Sequence, residues 1–304
     1  MLQRLQDIGG KKSMNRIYKA FENKKAFIGF LTAGDPVIDK TVDYILDMEE
    51  AGASLIEIGI PFSDPIAEGP TIQEANVRAL KNKVTTDDVF EMVKKVREKS
   101  DIPLCFMTYL NVVFHYGYDE FFKKCQEVGI DGIILPDLPY EESQEVKDVC
   151  YNYDVTLISM IAPTSKDRVE MIAKEAKGFI YLVSSMGVTG TRDNTSFANN
   201  LEEIIGHIRQ VTSTPVAIGF GINKPEQVKE FKQYADGVIV GSAIVNILKN
   251  MEIMQIYLLK NISNHLLNNY KYRLTKPVFF CILLSNIDNV IYKNIILLLK
   301  FITN

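Results

Sequence analysis

Short, nearly continuous apolar runs recur along this chain, and between them lie segments with helical periodicity. The runs are Ala26–Gly34, Ser54–Ile60, Pro103–Tyr109, Gly132–Asp137, Thr156–Ala162, Phe179–Ser184, Pro215–Gly221 and Gly237–Ala243, rich in Ile, Val, Leu and Phe. Runs of this kind are the mark of parallel strands buried on both faces. The intervening amphipathic segments are Val37–Ala51, Ile72–Leu80 with Thr86–Lys99, Tyr118–Val128, Tyr140–Tyr153, Asp167–Ala176, Leu201–Val211 and Pro225–Tyr234. Several open on helix-start residues, among them Asp35-Pro36, Thr85–Asp88, Ser165–Asp167 and Asn223–Glu226. Eight strands, each followed by helix, predict an α/β fold of the (β/α)8 TIM-barrel type, with a short N-terminal helix in Met14–Glu22. A doubly wound sheet is the second architecture. It usually carries a Gly-rich fingerprint after its first strand, and LTAGDP is not one.

Composition narrows the partners. The 304-residue chain carries a formal charge of −4, with pI near 5.6, which argues against a nucleic-acid footprint and for a soluble cytoplasmic protein. The opening residues lack an apolar core of the signal-peptide kind. Cys105, Cys125, Cys150 and Cys281 show no C-x-x-C spacing and read as reduced, buried thiols. His115, His207 and His265 lie far apart, so no metal site is expected. All 18 glycines precede residue 242, and from Met251 onward there is neither Gly nor Ala. Residues 251–304 are a different kind of sequence, with charge +4 against −8 on the body. The organisation read from this is an N-terminal extension over 1–13, a catalytic barrel over 14–250 and an atypical helix and tail over 251–304.

In a barrel of this type, chemistry sits at the C-terminal ends of the strands and in the loops that follow. None of the eight runs holds Lys or Arg, and their only acids are Glu57 and Asp137. Schiff-base barrels need a reachable Lys, and metal barrels need clustered His and carboxylates. Acid–base work by carboxylates is what these strands offer. Glu57 stands in the middle of the apolar LIEIGI, where an ionised carboxylate is costly unless something uses it. The loop behind it holds Asp64 and Glu68, and a helix restarts after Gly69-Pro70-Thr71. A phosphate signal follows strands seven and eight, in Gly219-Phe220-Gly221 and Gly241-Ser242-Ala243. Backbone N–H groups and a helix N-terminus bind phosphate at these two places in many barrels. The stretch SSMGVTGTRDNTSFANN after strand six is long, polar and without helical period, as a substrate-covering lid would be.

The motifs FIGFLTAGDP, IEIGIPFSDPIAEGPTIQ, YLNVVFHYG, ILPDLPYEES, YLVSSMGVTGTR, IGFGI and VGSAIV resemble the tryptophan synthase alpha subunit family in order and spacing, over about Met14 to Leu248. The resemblance implies a lyase that cleaves indole-3-glycerol phosphate to indole and glyceraldehyde 3-phosphate by a retro-aldol reaction. It puts Glu57 at the family's general acid/base, and Glu68 where the family often has the Asp that accepts the indole N–H. Tyr181 matches a tyrosine near the acid. Gly190, Gly221, Gly241 and Ser242 match phosphate contacts, and Phe30, Tyr109, Leu135 and Phe220 match walls of the indole slot. Thr189 matches a lid threonine, and the Asp64 loop and lid would carry a signal between sites.

That signal needs a partner. The resemblance implies a beta subunit in a two-alpha, two-beta assembly, with pyridoxal phosphate held by the beta chain alone and no cofactor or metal on this one. The alternative function is a poorly active barrel serving mainly as the allosteric binding partner of the beta subunit. The chain departs from the family in its tail. Thr275 to Asn304 has no counterpart; Val278–Ile302 is apolar, but Asn286, Asp288, Asn289, Lys293 and Asn294 interrupt it, so no membrane span is expected. A frameshifted or read-through end is the reading adopted, with an added partner-binding helix second. Met14 is a candidate initiator.

Overall fold

A computed structural model describes residues 16–22, 25–162, 168–184, 194–219, 221–222 and 225–250. Its strands are β1 (Ala26–Thr32), β2 (Leu55–Gly59), β3 (Leu104–Met107), β4 (Gly132–Ile134), β5 (Thr156–Leu157), β6 (Ser159–Ile161), β7 (Ile180–Val183), β8 (Val216–Gly219) and β9 (Gly237–Val240). All pairings are parallel, in the order β5-β4-β3-β2-β1-β9-β8-β7-β6. The ends of that order, β5 and β6, are consecutive in the chain and separated only by Ile158. They are two halves of the fifth apolar run: one half pairs with β4 and the other with β7. The sheet therefore closes through one bent strand, and the eight runs become a (β/α)8 barrel.

Around it lie α1 (Ile17–Ala20), α2 (Ile38–Glu50), α3 (Pro70–Lys81), α4 (Thr86–Arg97), α5 (Leu110–Tyr116), α6 (Tyr118–Val128), α7 (Ser143–Asn152), α8 (Val169–Glu175), α9 (Asn194–Val211) and α10 (Pro225–Tyr234). Residues 242–250 form a further helix after β9. The start signal at Thr85 operates as read. Its hydroxyl accepts the Asp88 N–H, and the Asp88 carboxylate accepts the Thr85 N–H at 2.9 Å, a capping box. Two helical pieces differ from expectation. α5 arises within YLNVVFHYG, too short for its period to stand out. α9 begins at Asn194, so the last residues of the stretch read as lid, 194–200, are helical.

The apolar residues sort into two layers. Ala26, Ile28, Leu55, Cys105, Ile134, Ile158, Phe179, Tyr181, Ala217 and Ile239 share the interior with Ile17 and Ala20 of α1, which plugs its base. Their strand neighbours Phe27, Ile56, Phe106, Ile133, Ile180, Val216 and Val238 face the helices. This period-2 split inside continuous apolar runs is what a closed parallel barrel demands. The base is tied by an ion cluster around one buried carboxylate. Asp131, 5% exposed, meets Arg16 at 2.6 Å and Arg97 at 2.9 Å. It also accepts the Leu104 N–H at 2.9 Å. At the opposite rim a two-pronged pair at 2.7 and 2.8 Å joins Asp35, after β1, to Arg78 of α3. That clamp fixes the first rim loop against the helix that follows the acidic loop.

Candidate active site

β2 carries Glu57 on the interior face, level with Phe30 of β1 and Cys105 of β3. It is 1% exposed, and neither carboxylate oxygen has a hydrogen-bond partner. Burial alone pushes its carboxyl up to about 8, so the group is protonated at neutral pH. A buried polar group without a partner is rare and marks a site where something else supplies one. Tyr181 of β7 is also buried on the interior face. Burial raises its phenol well above the ordinary range, and the charge of nearby Glu57 raises it further. Gly219 makes room for that ring, because a Cβ there would lie 2.5 Å from the Tyr181 hydroxyl. The other strand acid behaves differently. Asp137 accepts the Leu110 N–H at 2.9 and 3.1 Å and so caps α5.

One strand over, Phe30 connects the acid to the candidate phosphate cradle. A Cβ on Gly59 would come within 2.8 Å of its ring, and one on Gly241 within 3.3 Å. The ring therefore lies between the end of β2 and the end of β9. It packs with Ile72, Ala75, Val245 and Met107. Gly241 opens the helix over 242–250, its carbonyl accepting the Val245 N–H at 3.0 Å. The N–H groups of the first turn, Ser242 included, have no carbonyl within the helix and suit an anion. Gly221 adopts φ 72, a left-handed conformation open to glycine.

The loop after β2 brings a second acid to the rim. Glu68 is partly buried, which raises its carboxyl, while hydrogen bonds from Asn76 and Tyr109 pull the other way. Asn76 Nδ2 donates to Glu68 Oε2 at 2.7 Å. The Tyr109 hydroxyl also accepts the Ala67 N–H at 2.9 Å, and its ring meets Phe62 with centroids 5.2 Å apart. Asp64 is exposed and takes a hydrogen bond from the Ser63 hydroxyl.

Of the residues singled out in the sequence, the structure brings Glu57, Tyr181 and Phe30 to the interior and sets Gly241 against Phe30. Glu68 and Tyr109 meet each other at the rim. Leu135 does not join them: it packs in the layer between strands and helices, while its neighbour Ile134 faces the interior. Thr189, Gly190 and Phe220 lie outside the described residues, as does the tail from 251. Sequence reading passed over Asn76 and Met107, and took Gly219 only as part of a phosphate signal. Period-2 counting along the strands beside Glu57 and Tyr181 could have flagged Met107 and set Gly219 beside the Tyr181 ring.

Among the described residues no group of three or more His, Cys, Asp or Glu is placed to hold a metal ion. None of their helices is long and apolar enough to cross a membrane. These features define a class: a (β/α)8 barrel with a buried, unpartnered acid in its mouth and a helix N-terminus across one strand from it. The family model for the tryptophan synthase alpha chain matches residues 18–271. The alpha chain of Thermoanaerobacter sp. (strain X514) is 48% identical over 237 residues, covering 76% of this chain and 90% of that one. The solved alpha subunit from Legionella pneumophila str. Paris superposes with a TM-score of 0.71 at 37% identity, over 79% of this chain and 92% of that one. A chain of tryptophan synthase from M. tuberculosis in an open form gives 0.70 at 31% identity, over 78% and 92%. The chain belongs to the tryptophan synthase alpha chain family.

Proposed function

We propose that this chain performs its family's lyase reaction, the cleavage of indole-3-glycerol phosphate to indole and glyceraldehyde 3-phosphate, with Glu57 as the acid and base. The carrying observation is the buried, unpartnered Glu57 beside Phe30, across from the helix start at Gly241. Glu57 first gives its proton to indole C3, leaving the ring a cation, and Glu68 accepts the ring N–H and balances that charge. The Glu57 carboxylate then takes the proton of the hydroxyl on the adjoining carbon. That carbon becomes the aldehyde as the C–C bond breaks, and the bonding pair returns to the ring as indole leaves. Glu57 ends as it began, protonated, so one residue serves both transfers.

The two carboxyls divide these roles by environment. Glu57 has no donor and holds its proton, whereas Glu68 has Asn76 and Tyr109 to favour its ionised form. Phe30 and Tyr109 offer aromatic faces to a flat ring. Gly221, Gly241 and Ser242, with Gly190, are assigned to the phosphate; Thr189 is assigned to the lid and Phe220 to the slot. The residues of this chain need no cofactor for these steps. We assign the rim around Asp64 to the beta chain, which alone would hold pyridoxal phosphate; Ile66, 80% exposed, and Phe114, 66% exposed, offer that partner apolar contacts. A cytoplasmic setting is supported by the free, buried Cys105, Cys125 and Cys150. The test is release of indole from indole-3-glycerol phosphate by the purified full chain, with and without a beta chain. Turnover without the partner, raised when it is added, is expected. No indole under either condition, with beta-chain activation retained, would leave only a scaffold.

A further inference from the structure

Asn76 occupies an unusual place. α3 buries Ile72, Ala75 and Ala79 against the barrel, and Asn76 lies on the same buried side, 4% exposed. An asparagine is a poorer helix former than the alanines around it, and a buried amide is costly unless its hydrogen bonds are met. Its donor goes to a side chain in the candidate site, Glu68 Oε2, at 2.7 Å. One turn earlier on α3, Gln73 Nε2 donates to the backbone carbonyl of Glu68 at 2.8 Å. The spacing of three residues sets Gln73 and Asn76 on neighbouring positions of one helix face. Only Gly69 separates Glu68 from the first residue of the helix, Pro70. α3 thus grips Glu68 twice, at its main chain and at its carboxylate.

We propose that Asn76 is a positioning residue for the reaction, holding one oxygen of the Glu68 carboxylate so that the group stands ready to accept the ring N–H of the substrate. This rests on the reading of Glu68 as that acceptor. A carboxylate sunk in the rim tends to take up a proton and turn from an acceptor into a donor. Asn76 opposes this with a neutral donor whose place is set by a rigid helix, and Tyr109 supplies a second donor from the strand side. The rim clamp from Asp35 to Arg78, two residues further along α3, holds the helix that delivers it.

The experiment compares Asn76→Ala, Asn76→Ser, Glu68→Gln and the double variant Asn76→Ala/Glu68→Gln in the full chain with its beta chain, reading kcat, KM and the pH profile of indole release. Asn76→Ala is expected to lower kcat/KM about tenfold, a hydrogen bond to a charged group, and to move the acid limb of the profile up by about one pH unit. Asn76→Ser keeps a donor and recovers part of the loss. In the Glu68→Gln background, Asn76→Ala has little further effect, because the two act as one unit. An unmoved acid limb, or the same fold loss in both backgrounds, overturns the proposal even if the melting temperature falls. Wild-type kcat/KM in Glu68→Gln alone overturns the reading of Glu68 itself, and the proposal with it. An impaired Glu68→Gln beside an inert Asn76→Ala overturns the proposal only.

Discussion

Replacing Glu57 with Gln should make the protein more stable relative to its parent as the pH rises. Glu57 titrates near 4.5 when exposed and is pushed up to about 8 by burial in the barrel. Between those values the folded chain keeps a proton that the unfolded chain releases. Folding therefore takes up a proton, and stability falls as pH climbs through that window. At about 1.4 kcal/mol per pKa unit, the penalty is under about 1 kcal/mol near pH 5 and about 4 kcal/mol near pH 8. The Gln amide is isosteric and does not titrate. Its own unmet hydrogen bonds cost about 1–3 kcal/mol, but equally at both pH values. The stability of Glu57→Gln minus that of the parent should thus rise by roughly 3–4 kcal/mol from about pH 5 to about pH 8. Urea unfolding at intervals across that range measures it, and groups common to both proteins cancel. Parallel curves would refute the reasoning, because they would mean that Glu57 ionises freely in the folded state.

Two further changes probe the walls of the site. Ser242→Ala removes a hydroxyl at the start of the helix after β9, and KM should rise about tenfold with kcat nearly unchanged; a steady-state titration that finds KM unaltered would remove Ser242 from the phosphate cradle. Gly219→Ala puts a Cβ 2.5 Å from the Tyr181 hydroxyl. It should cost about 1–3 kcal/mol in urea unfolding and lower indole release, whereas a variant matching its parent in both would show that the ring is free to move aside.

The strands were readable because parallel strands buried on both faces write themselves as unbroken apolar runs. The same property hid which face each residue takes. In Gly132–Asp137 nothing in the pattern separates Ile134, which faces the interior, from Leu135, which faces the helices. Glu57 was legible as a charge inside such a run. Asp137 was the other acid, and only its bonds to the Leu110 N–H show it to be a cap. Asn76 was passed over as one position within the amphipathic segment Ile72–Leu80, since its partner, Glu68, lies beyond a turn of chain that periodicity does not describe. The split of the fifth strand between β5 and β6 follows from closing the ring, a constraint no local stretch carries.

The central claim is that one buried carboxyl in the barrel mouth moves the protons of the cleavage. It is tested most directly by indole release from indole-3-glycerol phosphate with Glu57→Gln beside the parent chain at saturating substrate. A loss of at least about a hundredfold in kcat, with KM changed little, is the expected result. A rate within about twofold of the parent would contradict it, since general acid–base catalysis of this kind is not lost without that cost.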